Sequence, residues 1–401
     1  MSIHIPKAFS AAGAHAGIKK ARKDMALFVS ERPCAAAGVY TTNTVKAAPV
    51  EWDEFITSGE WPVYGIVVNS GNANACTGVL GRQNTRDMAA ALALKIGKKP
   101  ENVLVCSTGV IGVPLPMDIV TVGIEKTARL LGNKAENFSD ASESILTTDT
   151  FTKVSSRKVS VGGREVTIYG CAKGSGMTHP NMATMLAFVL TDAPVEKNSL
   201  QAALSQAVAA TFNMISVDGD TSTNDTALVL ANGAAGGAEI TQETEEYHVF
   251  EEALTACLKE LAIDIARDGE GATKLLEVRV SGAKTLGDAR TLARSVVSSN
   301  LFKAAMFGAD ANWGRALCAM GYSGAFFNQE RVAMDFRSAK GVLPVMKNGA
   351  PQRFDEARAK EILLEADIFI DIFLGDGDAG AVAWGCDLTY DYVKINGDYR
   401  T

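Results

Sequence analysis

The sequence predicts an α+β protein built of layered sheets and helices. Short apolar runs and longer amphipathic runs are interspersed along 401 residues without a regular strand–helix–strand rhythm. At 47% hydrophobic, the chain is long enough to bury one large core or two ordinary ones. No internal repeat, low-complexity segment or long linker interrupts it.

Taken in order, residues 26–29 and 38–42 read as strands between Gly- and Ala-rich turns. Residues 63–68 form an apolar strand that runs into Asn69-Ser-Gly-Asn-Ala-Asn-Ala-Cys-Thr-Gly78, a small polar loop of the kind that exposes backbone amides. Helical spacing puts Met88, Ala91, Leu92 and Ile96 on one face of 84–96. A strand at 103–106 leads into Ser107-Thr108-Gly109, whose hydroxyl and amide suit a developing oxyanion, although alone such a tripeptide reads as a turn. Helices are expected at 117–131 and 136–146, then strands across 158–170 with a hairpin turn at Gly162-Gly163. After a strand at 185–190, helix 199–212 carries Leu200, Leu204, Val208 and Phe212, and a strand follows at 227–230. Helix 245–267 precedes strand 275–280, and helix 286–297 precedes strands at 331–336 and 342–347. A helix at 355–366 and strands at 368–374 and 381–389 complete the pattern.

Composition excludes several function classes. The net charge is −7, with 46 acidic against 39 basic residues, so there is no electrostatic footprint for nucleic acid. The densest basic cluster, Lys19-Lys20-Ala-Arg22-Lys23, adjoins Asp24 and reads as a solvated surface turn. Seven cysteines is an odd number, and none forms a Cys-x-x-Cys pair for zinc or redox work. Most sit among apolar or small residues, as buried free thiols do, which fits a reducing cytosol. The N-terminus has no apolar signal region, and no run approaches the roughly 18 apolar residues of a membrane span. A cytoplasmic protein without a membrane partner is the expectation.

Two polar stretches invite cofactor readings and fail them. Asp218, Asp220, Ser222 and Asn224 alternate as calcium ligands do, but the turn Gly and closing Glu of an EF-hand are absent, so turn chemistry is expected. Gly375-Asp-Gly-Asp-Ala-Gly380 is a literal G-x-G-x-x-G, but no helix or strand–helix–strand unit follows it. A glycine-rich hairpin is expected there instead, and no metal or cofactor is assigned.

The stretch Lys173-Gly-Ser-Gly-Met-Thr-His-Pro-Asn-Met-Ala-Thr184 carries the chemistry. Gly174, Gly176 and Pro180 make its first part a turn-rich loop, and the apolar 185–190 reads as a strand buried on both faces. Thr184 stands at the join, after the small Ala183. If the Ala183–Thr184 bond is cut, the new α-amine, with a pKa of about 8, lies beside the Thr184 hydroxyl and serves as its general base. For an isolated Thr, a β-branched residue opening a strand is the ordinary reading.

Residues 173–190 resemble the autoprocessing segment of the ornithine acetyltransferase family, also called glutamate N-acetyltransferases, of arginine biosynthesis. At least six separated motifs extend the resemblance over essentially the whole chain. They include 16–20, 40–50, Phe307-Gly-Ala-Asp-Ala-Asn-Trp-Gly-Arg315 and the final Val393-Lys-Ile-Asn-Gly-Asp-Tyr-Arg-Thr401. Thr178, Ala311 and Gly397 depart from the family pattern.

The resemblance implies an αββα sandwich with a smaller C-terminal α/β lobe. It implies self-cleavage between Ala183 and Thr184, giving chains 1–183 and 184–401 that form one catalytic unit and assemble as an α2β2 heterotetramer. Thr184 is then the nucleophile, and Thr108 and Gly109 are the oxyanion hole. Thr150, Lys173, Thr184, Glu270, Asn396 and Thr401 contact substrate; without the resemblance, Lys173 and Glu270 read as solvated loop residues. The implied reaction moves acetyl from N-acetylornithine to glutamate, with acetyl-CoA left open as a further donor. The sequence alone leaves standing an amidase or aminopeptidase with the same Thr chemistry, an acyltransferase of another acyl-amino-acid pathway, and an uncut binding protein.

Overall fold

The strand Met25–Tyr40 decides the architecture of the computed structural model, which describes residues 3–178 and 185–398. Glu31, Arg32 and Pro33 are exposed at its middle, and its register against Val63–Asn72 breaks between Val29 and Cys34. A proline donates no ladder hydrogen bond and suits such a break. The first half of the strand pairs with Phe9–Ala14 and Val63–Asn72, the second half with Thr226–Ala231. One path of strands therefore runs Val103–Val110, Val63–Asn72, Met25–Tyr40, Thr226–Ala231, Leu186–Thr191, Arg164–Lys173 and Lys153–Val161, and folds over itself at the bend.

Alternation along the strands fills three apolar layers. Phe28, Ile66 and Leu104 of one half face Tyr169, Phe188 and Leu228 of the other, and the Phe28 and Phe188 rings lie 5.6 Å apart. Their neighbours Leu27, Val67 and Val105 point the opposite way, onto the helices Gly78–Ile96 and Met117–Ala128. On the far side, Ile168, Ala187 and Val229 pack against Lys197–Ala210 and Glu245–Arg267. The expected αββα sandwich is what forms.

A second, mixed sheet makes a C-terminal α/β lobe. Its strands run Ala350–Pro351, Gly341–Lys347, Ala333–Ser338, Asp367–Phe373, Leu275–Ala283, Ala379–Cys386 and Ile215–Ser216. The helix Leu286–Ser298 packs on its centre, and Glu356–Leu363 on its edge.

Several local expectations need correction. Gly375 to Gly380 is no hairpin: the strands it joins lie on either side of Leu275–Ala283, so the connection crosses the end of that strand. It passes so close that a Cβ on Gly377 would meet the Ala283 carbonyl at 2.5 Å. The helices Ala48–Ser58, Asn300–Phe307, Trp313–Gly321 and Tyr390–Asp398 were not expected. Within the basic cluster Lys19 is half-buried, and burial lowers its pKa to about 8. Its ammonium donates to the Lys23 and Leu146 carbonyls at 2.9 and 2.6 Å. As expected, most of the cysteines are buried: five are, and Cys76 and Cys318 are exposed. Among the described residues, no helix is long and apolar enough to cross a membrane, and no cluster of His, Cys, Asp and Glu could hold a metal ion.

Candidate active site

Thr108 and Gly109 lie at the end of Val103–Val110, where parallel pairing with Val63–Asn72 becomes irregular. Gly109 has φ +134°, and a Cβ there would sit 2.3 Å from the Gly71 carbonyl carbon, so only glycine fits. The surrounding backbone is pinned by side chains. Ser107 Oγ donates to Asn69 Oδ1 (2.6 Å), and Asn69 Nδ2 donates to the Asn72 carbonyl (2.8 Å). A hydroxyl and an amide on such a fixed segment can stabilise an oxyanion without reorganising.

Lys173 ends the strand Arg164–Lys173 opposite Leu186, the first residue of the strand that follows the Ala183–Thr184 pair. It is 5% exposed, which overturns the solvated-loop alternative. Its Nζ lies 4.0 Å from Asp149 Oδ2. Burial lowers the pKa of Lys173, and the Asp149 charge opposes that shift. Burial by itself would raise the Asp149 carboxyl, but the Lys173 and Lys153 charges outweigh it and hold the group well below the usual carboxylate range. Asp149 Oδ1 also accepts from Lys153 Nζ (2.7 Å) and the Gly174 amide (2.8 Å).

Lys153 bridges onward to Asp268 Oδ2 at 2.6 Å. Asp268 accepts the Thr150 amide at 3.0 Å and the Thr150 hydroxyl as well, so the expected substrate-contacting Thr is tied to this network. Beyond it, the Glu270 amide donates to the Ser175 carbonyl (2.9 Å) and Ser175 Oγ to the Asp268 carbonyl (2.5 Å). Glu270 is buried rather than exposed, and its Oε2 accepts from Asn396 Nδ2 at 2.8 Å. Gly176 makes room for it: a Cβ there would meet that oxygen at 2.2 Å. Asn396 belongs to the helix Tyr390–Asp398, which packs so tightly on Gly271 that a Cβ there would lie 2.6 Å from the Tyr392 nitrogen.

The alternating polar run at 218–224 serves the backbone. Asp218 accepts the Met177 and Thr178 amides at 2.5 and 2.7 Å. Met177 has φ +53°, an uncommon conformation for a side chain of its size. Asp225 accepts the Met185 amide at 3.0 Å.

The structure thus groups Lys173, Thr150, Glu270 and Asn396 around residues 173–178, and it places Thr108 and Gly109 on the strand Val103–Val110. Ala183, Thr184 and Thr401 lie outside the described residues. Sequence reasoning missed Asp149, Lys153, Asp268 and Asp225. A buried Lys–Asp network joining residues 115 apart leaves no local pattern, although Thr147-Thr-Asp149-Thr150 next to Lys153 is an available hint.

The ArgJ family pattern matches residues 10–401. The arginine biosynthesis bifunctional protein ArgJ of Caldanaerobacter subterraneus subsp. tengcongensis is 54% identical over 400 residues, covering 100% of this chain and 98% of the relative. Its counterpart in Symbiobacterium thermophilum is 56% identical over 400 residues, covering 99% and 98%. The crystal structure of the arginine biosynthesis bifunctional protein ArgJ of Bacillus halodurans shares 47% identity with a TM-score of 0.50, and the match covers 53% of this chain and 98% of that one. With the pattern spanning all but the first few residues, the chain belongs to the ArgJ family.

Proposed function

We propose that this protein moves acetyl from N-acetylornithine to glutamate through an ester on Thr184, releasing ornithine and N-acetylglutamate for arginine biosynthesis. Acetyl-CoA is the second donor, the reading that suits relatives named as bifunctional. The protein first prepares itself. Thr184 Oγ attacks the Ala183 carbonyl, an N→O shift gives an ester, and water hydrolyses it to leave chains 1–183 and 184–401. Mature Thr184 then attacks the acetyl carbonyl of N-acetylornithine, its α-amine taking the hydroxyl proton and passing it to the departing amine. Thr108 and the Gly109 amide face the tetrahedral oxyanion. Glutamate attacks the acetyl ester in the reverse sense. Lys173, Thr150, Glu270, Asn396 and Thr401 hold the charged ends of the amino-acid substrates. Two such chain pairs assemble as an α2β2 heterotetramer in the cytoplasm.

The observation that carries this reading is the path of residues 173–178. This segment, which leads directly to Ala183–Thr184, touches Asp149, Asp268, Glu270 and Asp218 in turn. Cleavage draws support from the half-length match of the Bacillus halodurans chain, since 184–401 is just over half of this sequence. The test is incubation with N-acetylornithine alone. One acetyl group is expected on the peptide beginning at Thr184, with parallel lines when N-acetylornithine and glutamate are varied together. Intersecting lines without an acetylated peptide point to direct transfer, and free acetate formed without glutamate points to a hydrolase.

A further inference from the structure

The turn that ends in Asn224-Asp225 is held from within and by Thr41 and Ala47. The Thr41 hydroxyl donates to the Ser222 carbonyl (2.7 Å), the Asn224 amide to Ser222 Oγ (3.1 Å), and the Ala47 amide to the Thr223 carbonyl (2.9 Å). Asn224 and Asp225 are only 7% and 2% exposed, and their side chains also reach beyond the turn to other elements. Asn224 Nδ2 donates to the Ser107 carbonyl at 2.8 Å and to the Ala73 carbonyl at 2.7 Å. Ser107 immediately precedes Thr108. Asp225 Oδ1 accepts the Met185 amide at 3.0 Å, and the next residue, Thr226, donates its amide to the Met185 carbonyl at 3.0 Å. Met185 immediately follows Thr184.

We infer that Asn224 and Asp225 are positioning residues that fix the spacing between the oxyanion segment at Thr108–Gly109 and the head of the strand behind Thr184. This rests on the acetyl-Thr184 reading above. Two adjacent residues of one turn each hold the immediate chain neighbour of a reacting group. A shift of either neighbour therefore changes the distance over which the hydroxyl and oxyanion donors act together, and such misplacement slows chemistry more than it weakens binding. Burial pushes the Asp225 carboxyl well up, against the Met185 amide and the Lys173 charge. The acceptor role is thus filled by a group for which asparagine is a close substitute.

The experiment compares wild type with Asn224→Ala, Asp225→Ala and Asp225→Asn, with kcat counted per acetylatable Thr184. In both alanine variants kcat is expected to fall at least tenfold with KM within twofold of wild type, and Asp225→Asn to recover it to within threefold. Self-cleavage should follow the same order, because it uses the same hydroxyl. The inference is overturned if the alanine variants keep wild-type kcat per site, or if Asp225→Asn is as impaired as Asp225→Ala. For variants that do not fold, hydrogen exchange on wild type decides: the Met185 amide should be protected as strongly as those of Leu186–Thr191, and free exchange there overturns the clamp. If wild type itself forms no acetyl-Thr184 peptide, the catalytic reading fails instead.

Discussion

Asp268 ties two residues of the site together through one carboxylate, taking the Thr150 amide and hydroxyl and the Lys153 ammonium. Both partners of the Lys153–Asp268 pair are buried, so removing one leaves a charge uncompensated. Asp268→Ala is expected to lose about 3–5 kcal/mol of stability in urea unfolding, and Asp268→Asn, which still accepts hydrogen bonds, clearly less. Asp149 supplies a pH test. Its folded pKa lies below the unfolded value of about 3.9, so the ionised form adds stability above that pH and loses it as pH falls through the depressed value. The stability gap between wild type and Asp149→Asn should be full above about pH 4 and close progressively in stronger acid. A gap that stays constant from pH 6 to pH 2 would show that the ion network contributes nothing. At this scale the sequence is legible where a tight turn needs glycine, as in the Gly174–Gly176 loop. It is silent where a common Asp or Lys is recruited from far along the chain.

Helices with a long apolar stripe were visible in the pattern, and several short ones were not. The helix Glu245–Arg267 shows its stripe from Phe250 to Ile265, whereas Tyr390–Asp398 has no buried residue and therefore no stripe to read. Ala48–Ser58 escaped for another reason: Pro49 looks like a breaker but occupies the first turn, where its missing N–H costs nothing. The C-terminal helix reaches the site through Asn396, which donates to Glu270, and through Tyr392, whose hydroxyl donates to Asp218. Asn396→Ala should raise KM for N-acetylornithine or glutamate about ten- to hundredfold, the size of a lost hydrogen bond to a charged group. Unfolding stability should stay within about 0.5 kcal/mol, because the residue is exposed. Unchanged KM with normal kcat would leave Asn396 as a helix residue of no consequence to substrate.

At the scale of the whole molecule, the place of the Ala183–Thr184 bond in the strand order makes a specific claim about the cut protein. The strands Leu186–Thr191 and Thr226–Ala231 come after the bond in sequence, yet they lie between Met25–Tyr40 and Arg164–Lys173, which come before it. Each is hydrogen-bonded on one side to the N-terminal piece, Leu186–Thr191 in register with Ile168 to Lys173 and Thr226–Ala231 with Ala35 to Tyr40. The inner apolar layer likewise takes Phe28 and Tyr169 from one piece and Phe188 and Leu228 from the other. Neither piece can keep a closed core if the other leaves. Cleaved protein should therefore elute from gel filtration as one species, unfold in a single cooperative transition, and separate into two chains only in denaturant. Thr184→Ala should elute at the same position, remain a single chain by mass analysis, and show no acetyl transfer. Two chains that part under native conditions would overturn the shared core, and an active variant that stays uncut would mean that the reaction does not depend on the amine released at Thr184.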